Sequence, residues 1–202
     1  MRIVVAQHKG GVGKTTLAVH VAGVLKSEYY KSYLIDCDSQ GDAFRFFSGA
    51  VPQSSLEHKR GMDNVDVLWN PERLKMNNKN AFSGYEHIVV DIDTRIENAL
   101  SVILEINPDI VLLPVSNQFL SLIHAEDSVA LIQKCEGIFG YKVKKLIVGM
   151  GTHFTTEKLQ GYERLNIDYI SDFDRCHSER KYIWDLDNEY EYLYGVFKLG
   201  VR

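Results

Sequence analysis

The stretch Lys9-Gly10-Gly11-Val12-Gly13-Lys14-Thr15-Thr16 restricts this chain more than any other. It lies between the apolar run Arg2–Gln7 and a segment from Thr15 in which Leu17, Val21, Val24 and Leu25 recur at helical spacing. A nearly continuous apolar run of that length reads as a strand buried on both faces. Glycines reach backbone dihedrals closed to other residues, so the turn between strand and helix can point successive N–H groups into one concavity. The helix that follows adds the positive end of its dipole at the same place. Strand, glycine turn, Gly-Lys-Thr and helix in that order describe a phosphate-binding loop. Its contacts are expected from Gly10, Gly11, Val12, Gly13, Lys14, Thr15 and Thr16. Lys14 is placed to reach the β- and γ-phosphates of a nucleotide, and the Thr15 hydroxyl to ligate Mg²⁺.

The rest of the chain repeats the alternation. Strands are expected at Tyr33–Cys37, Val65–Trp69, Ile88–Ile92, Asp109–Val115, Leu146–Met150 and Ile167–Ile170. Helices are expected over Glu97–Ile106, stopping before Pro108, and over Leu122–Phe139, with Gly137 and Gly140 near its end. Such alternation predicts an α/β fold of three layers, a mostly parallel twisted sheet with helices on both faces. In sheets of that kind ligands bind at the carboxyl ends of the strands. The stretch Asp42–Gly84 contains Gly49, Pro52, Gly61, Pro71 and the polar run Lys75–Asn80, and is expected to form loops around the third strand. A chain of 202 residues reads as a single domain, 1–202, with core enough to need no disulfide.

Composition excludes several classes. An apolar fraction of 45% and a charged fraction of 25% are those of a globular protein. Cys37, Cys135 and Cys176 are widely spaced with no CxxC pair, which argues against a disulfide framework or zinc site and for a reducing compartment. No apolar run is long enough for a secretory signal or a membrane span, so a soluble, cytoplasmic protein is expected. The net charge of −4 requires any DNA binding to come from a local patch, or from one assembled by oligomerisation.

The loop departs from the ordinary G-x-x-x-x-G-K-[ST] pattern in one informative place: His8 stands at the first glycine, and Lys9 follows it. The form K-G-G-x-G-K-[ST] resembles the deviant Walker A loop of the ParA/MinD family of dimeric P-loop ATPases. There the early lysine reaches across a nucleotide sandwich to the partner's phosphates. The resemblance gives that role to Lys9, which would set positive charge where transition-state charge collects. Leu34–Ala43 (LIDCDSQGDA) resembles the family's second acidic motif, LxDxDPQGN, with Ser39 and Asp42 in place of Pro and Asn. This implies that Asp38 lies near Mg²⁺ and positions the attacking water, while Asp36 supports the strand end. Ile88–Thr94 resembles a Walker B strand, implying that Asp91 holds the metal's water opposite Thr15. Arg95 is a departure from the family's D-x-P-P continuation, and Leu112–Gln118 resembles its V-x-V-P-V-x-P strand end.

Taken whole, the resemblance implies a P-loop NTPase fold with ATP and Mg²⁺ as cofactors, and Lys9, Lys14 and Asp38 as catalytic residues. Thr15, Asp38 and Asp91 would serve the metal. It implies a homodimer when ATP-bound that binds non-specific DNA, and a slow hydrolysis stimulated by a ParB-like, centromere or cargo adaptor. The role would be partition of a plasmid or chromosome, or positioning of a cargo on the nucleoid. Family members touch DNA with basic residues of the C-terminal half, where Lys142, Lys144, Lys145, Lys158, Arg164, Arg175, Arg180 and Lys181 are candidates. From residue 140 onward ten basic residues face ten acidic ones, so a solvated face competes with that reading. Arg175, Arg180 and Lys181 lie closest together, and their segment is also a candidate for the adenine pocket.

Two other readings compete. A MinD-like membrane-cycling ATPase would use the apolar and basic end Phe197–Arg202, against which stand Gly195, Gly200 and the acids Asp185, Asp187, Glu189 and Glu191. A bacterial tyrosine kinase would use Tyr190, Tyr192 and Tyr194, whose alternation with Glu191 reads better as a packing element. His20, His58, His87, His124, His153 and His177 show no ligand spacing and read as structural residues.

Overall fold

The computed structural model describes residues 1–27, 29–76, 82–93, 96–153 and 156–201, and for Phe139 the backbone alone. Its first half runs β1 (Arg2–Ala6), α1 (Lys14–Val24), β2 (Lys31–Asp36), α2 (Asp42–Ser48), β3 (Glu57–Lys59), β4 (Val65–Trp69) and β5 (Tyr85–Ile92). The second half runs α3 (Leu100–Ile106), β6 (Ile110–Val115), α4 (Phe119–Phe139), β7 (Lys144–Met150), β8 (Glu163–Ile167), α5 (Phe173–Glu179) and α6 (Tyr192–Leu199). All the strands join one sheet in the order β3-β4-β2-β5-β1-β6-β7-β8, parallel throughout except for the short edge strand β3.

Alternation along the buried strands sorts the core into two layers. Ile3, Val5, Leu34, Val67, Val89 and Leu112 face α1, α2 and α6, meeting Leu17, Val21, Phe44, Phe47 and Phe197. Val4, Ile35, Val90, Val111 and Leu113 face α3 and α4, meeting Val102, Ile106, Ala125, Val129 and Ile132. The expected three-layer α/β architecture is what forms. β1 lies between β5 and β6, and the connections from β1 and from β6 carry their helices to opposite faces. The strand order therefore reverses beside β1, which opens a crevice at its carboxyl end. Asp36 and Asp91 are register partners at the ends of β2 and β5, on the same rim.

Three expectations change. The stretch after Asp42 is more than loops. Asp-Ala-Phe-Arg-Phe-Phe-Ser forms α2 between Gly41 and Gly49, both left-handed at φ 69°, and buries Phe44, Phe46 and Phe47. Two turns are too short to show a helical period, and Arg45 interrupts the apolar residues. The last strand is Glu163–Ile167 and not Ile167–Ile170, because its pairing with β7 runs from Leu146↔Glu163 to Met150↔Ile167. Finally, the helix expected from Glu97 is a 3-10 turn over Ile96–Ala99 leading into α3, which ends at Asn107 in the left-handed region. Among the described residues no helix is long and apolar enough to cross a membrane.

Candidate nucleotide site

The loop after β1 takes the shape its glycines allow. Gly11 and Gly13 sit at φ 71° and 87°, a region that L side chains rarely occupy. A Cβ on Gly13 would also fall 2.9 Å from the Met150 side chain. Gly13 caps α1 through its carbonyl, which accepts from Leu17 N–H at 2.8 Å, and no side chain caps the first turn. Those free amide groups and the helix dipole suit an anion.

Lys14 opens α1 and is buried at 8% exposure. Its ammonium donates to the Lys9 carbonyl at 3.0 Å, which folds the side chain back over the loop. Burial lowers its proton affinity, while Asp91, Asp38 and Asp93 hold it up. Lys9 is half-buried, and among the described residues its ammonium meets no acceptor. The two lysines are thus used differently, one folded into the loop and one left available.

The carboxylates divide in the same way. Asp36, fully buried, accepts Asp38 N–H at 2.9 Å on one oxygen and Phe44 N–H at 2.8 Å on the other. It fastens the turn after β2 to the first turn of α2, which is the strand-end support expected of it. Asp38 Oδ1 accepts Gln40 N–H at 2.8 Å, and its carbonyl accepts the Trp69 indole N–H at 2.8 Å. Asp91 is also fully buried, yet among the described residues neither of its carboxylate oxygens has a hydrogen-bond partner. Burial pushes its carboxyl well up; the neighbouring Thr15 hydroxyl and Lys14 ammonium pull the other way, and Asp38 and Asp93 add to the rise. Asp36 is raised by burial and by Asp91 beside it. A buried carboxylate without an internal partner, next to a threonine hydroxyl and a second carboxylate, is a donor set for a hard, oxygen-seeking cation. Thr15, Asp38 and Asp91 accordingly fit Mg²⁺.

Lys14, Thr15 and Asp38 line one open cleft of about 560 Å³, walled by Gly10–Gly11, Gly13–Thr16, Asp38–Gln40, Asp42, Asp93 and His177. A second cavity of about 260 Å³ adjoins it and shares Gly11, Gly13 and Thr16; Ser116, Met150, Tyr169, Ile170 and Phe173 form its more apolar wall. Most of the wall supplied by the C-terminal part of the chain comes from residues 168–174, just upstream of Arg175, Arg180 and Lys181.

Some site residues escaped the sequence reading. Asp93 faces the cleft and is paired with Arg73 at 3.4 Å. Its place beside Asp91 was the available signal, but Arg73 lies in a stretch without periodicity. Arg95 lies outside the described residues. His177 reaches the cleft from α5, far along the chain from any motif.

The DNA candidates are placed in detail. Arg175 is ringed by Asp172, Glu179 and Asp187 at 3.2, 3.2 and 3.3 Å. Lys181 pairs with Glu179 at 3.2 Å. Arg180 donates Nε to the Phe46 carbonyl at 2.7 Å and Nη2 to the Phe47 carbonyl at 2.9 Å, capping the end of α2. Lys144, Lys145 and Lys158 pair with Glu163, Glu136 and Glu126. The basic residues are near one another in part but engaged within the protein. In the tail, Tyr190 donates to Asp172 at 2.6 Å, and Leu193, Phe197 and Val201 are buried in the core.

Comparison with known proteins agrees with this geometry. Residues 3–174 match the family model described as the CobQ/CobB/MinD/ParA nucleotide binding domain. Among curated protein sequences none matches the chain. Among solved structures, apo McdA from Cyanothece superposes with a TM-score of 0.78 at 15% identity, over 100% of this chain and 99% of that one. MinD from Pyrococcus horikoshii complexed with Mg-ADP gives 0.75 at 15% identity, over 98% and 93%. A ParA family ATPase from Chlorobium tepidum gives 0.75 at 16% identity, over 100% and 98%. Likeness at such identities establishes the shared fold.

Proposed function

The chain belongs to the CobQ/CobB/MinD/ParA nucleotide-binding family, and we propose that within it the protein is a ParA-like switch. It binds Mg·ATP, closes face to face with a second copy across two nucleotides, holds DNA without regard to sequence, and lets go on slow hydrolysis that an adaptor accelerates. The observation that carries this reading is the division of labour between the two loop lysines. The Lys14 ammonium is folded back over its own loop onto the Lys9 carbonyl, which suits a phosphate bound in the same subunit, whereas the Lys9 ammonium has no acceptor among the described residues. A second lysine left without such an acceptor suits a phosphate of the facing subunit, where it would offset transition-state charge. Asp38, held by its turn, suits the orientation of a water, and Thr15 and Asp91 suit the cation, which when bound would neutralise phosphate charge. Phosphates in the larger cleft and a base in the adjoining cavity follow from their sizes and polarity. Hydrolysis here changes populations of two states and makes no product of use in itself.

DNA as the bound surface is favoured over a membrane because Leu193, Phe197 and Val201, the apolar face a membrane helix would need, are packed against the sheet. The kinase reading is disfavoured by Tyr190, whose hydroxyl is bound to Asp172. Arg175 and Lys181 are the proposed contacts with phosphate, doubled in number by the dimer.

The test is binding to a random-sequence duplex with ATP and with ADP at two salt concentrations. ATP-selective binding that weakens steeply with salt is expected; equal binding in both nucleotide states, or none, overturns the DNA switch. Lys9→Ala should keep nucleotide affinity through Lys14 yet lose ATP-dependent dimerisation, read by light scattering. Normal dimerisation by the variant would remove the cross-subunit role.

A further inference from the structure

The phosphate cleft has a charge deficit. Its walls carry Lys14 as a cation and Asp38, Asp42 and Asp93 as anions, and a nucleoside triphosphate brings more negative charge still. Among the described residues, the one remaining wall residue able to carry positive charge is His177. Its sequence context read as structural, but α5 sets it in the cleft, and two packing arrangements hold it there. The ring of Phe46 meets it edge-on at a centroid distance of 5.8 Å. Arg180, three residues on, is fixed to the carbonyls of Phe46 and Phe47, so α5 and α2 are fastened together just behind the ring.

We propose that His177 is a nucleotide-binding residue that takes up a proton when a polyphosphate enters the cleft, so that nucleotide affinity is coupled to pH through this side chain. The proposal rests on the nucleotide site described above and adds a contact outside the loop motifs.

The groups facing His177 support a switchable charge. Asp174 on its own helix and Asp42 at the start of α2 favour the imidazolium; burial disfavours it and is the larger effect, so the ring is held below its usual proton affinity. Arg45 is turned to Asp42 at 3.4 Å. His20, behind α5 on α1, is fully buried and stays neutral at physiological pH. Across the cleft lie Lys14, Asp38 and Asp93. A phosphate entering this space adds anionic charge close to a ring that burial holds towards its neutral form. Protonation then becomes linked to binding, and affinity rises as pH falls, up to tenfold per pH unit where uptake is complete.

The experiment measures ATP affinity by calorimetry at pH 8, 7 and 6 for the wild-type protein, His177→Gln and His177→Lys. The wild-type and Gln proteins share the titration of ATP and of the cleft carboxylates, so their ratio isolates the imidazole. That ratio should grow at least about threefold from pH 8 to pH 6, within the linkage limit. His177→Lys should hold its advantage over His177→Gln at every pH, because its charge does not titrate in this range. The heat of binding in buffers of different ionisation enthalpy should report proton uptake by the wild type and less of it by the Gln variant. A constant wild-type to Gln ratio, with equal proton uptake, overturns the proposal. Lys14→Ala is the separate control: if it binds ATP as the wild type does, the placement of phosphates in this cleft fails first, whatever His177 does.

Discussion

Asp91 and His20 are both fully buried and titratable, yet the protein treats them in opposite ways. Asp91, at the carboxyl end of β5, has two carboxylate oxygens without a hydrogen-bond partner among the described residues. His20, on the inward face of α1, has both nitrogens engaged: Nδ1 lies 2.7 Å from the Thr16 carbonyl, and Nε2 accepts Ile183 N–H at 3.0 Å. Since Nε2 accepts, the proton sits on Nδ1 and the ring is a fixed, neutral bridge from the phosphate loop's helix to the C-terminal segment. Phe173, Trp184 and Phe197 surround it within 5.4 Å between centroids. Asp91 thus carries unmet polar demand, while His20 ties the walling segment down with its demand met internally. The first pattern marks where a ligand goes; the second marks what keeps the wall in place.

The cleft side of this comparison is broken most severely by removing its cation. Lys14→Ala should lower ATP turnover by about 100-fold or more, the scale for loss of one preorganised charge-stabilising donor. Phosphate release under saturating Mg·ATP is the measurement. Retention of wild-type turnover would mean that the phosphates are held elsewhere.

The contrast also explains what could be read from the sequence. Gly10–Thr16, Asp36, Asp38 and Asp91 sit at the ends of buried strands, where a phosphate loop and paired carboxylates are constrained within a few residues of one another, so their pattern survives in one dimension. The parallel sheet was legible for the same reason, since strands such as Ile110–Val115 are apolar without interruption. The wall was not legible. His177, Arg180 and His20 act through contacts more than a hundred residues apart, as in the bonds of Arg180 to Phe46 and of Ile183 to His20. Composition and spacing carry no trace of such pairs. Arg175 and Arg180 look equally like surface cations in sequence, although one is ringed by carboxylates and the other caps a helix.

On the wall side, His20→Leu keeps the volume but leaves Ile183 N–H without an acceptor, at a cost of about 2–3 kcal/mol. The pH dependence sharpens the comparison. Burial depresses His20 to about 3, below its unfolded value. The stability it contributes is therefore whole above the unfolded value near 6.5 and is lost as pH falls towards 3, by up to about 1.4 kcal/mol per unit. Asp91 and Asp36 run the other way: raised in the folded state, they favour folding at acid pH and lose that contribution as pH rises through their folded values. Wild type and variant share these carboxylates. The stability gap between them in denaturant titrations should be full at pH 7.5 and close between pH 6.5 and 4.5. A gap that does not change with pH would mean that His20 is not held neutral.

The smallest expected effect decides between two uses of one arginine. If Arg180 is a cap, its removal costs stability; if it is a DNA contact, its removal costs affinity. Two hydrogen bonds from a charged donor to the last carbonyls of α2 suggest about 1–2 kcal/mol for Arg180→Ala, a fall of roughly 3–6 °C in Tm for a chain of this length. Arg180→Gly should lose somewhat less, because the residue sits at φ 53°, a conformation that glycine adopts without strain. Lys181→Ala, which removes only the exposed pair with Glu179, should leave Tm nearly unchanged and serves as the reference. A phosphate contact behaves differently: its loss leaves Tm alone, weakens binding to every duplex alike and reduces the salt dependence by about one ion. An unchanged Tm with a shallower salt slope for Arg180→Ala would turn this arginine from the fastening of the wall into part of the DNA surface, and the distinction between the two regions would then run through α5 itself.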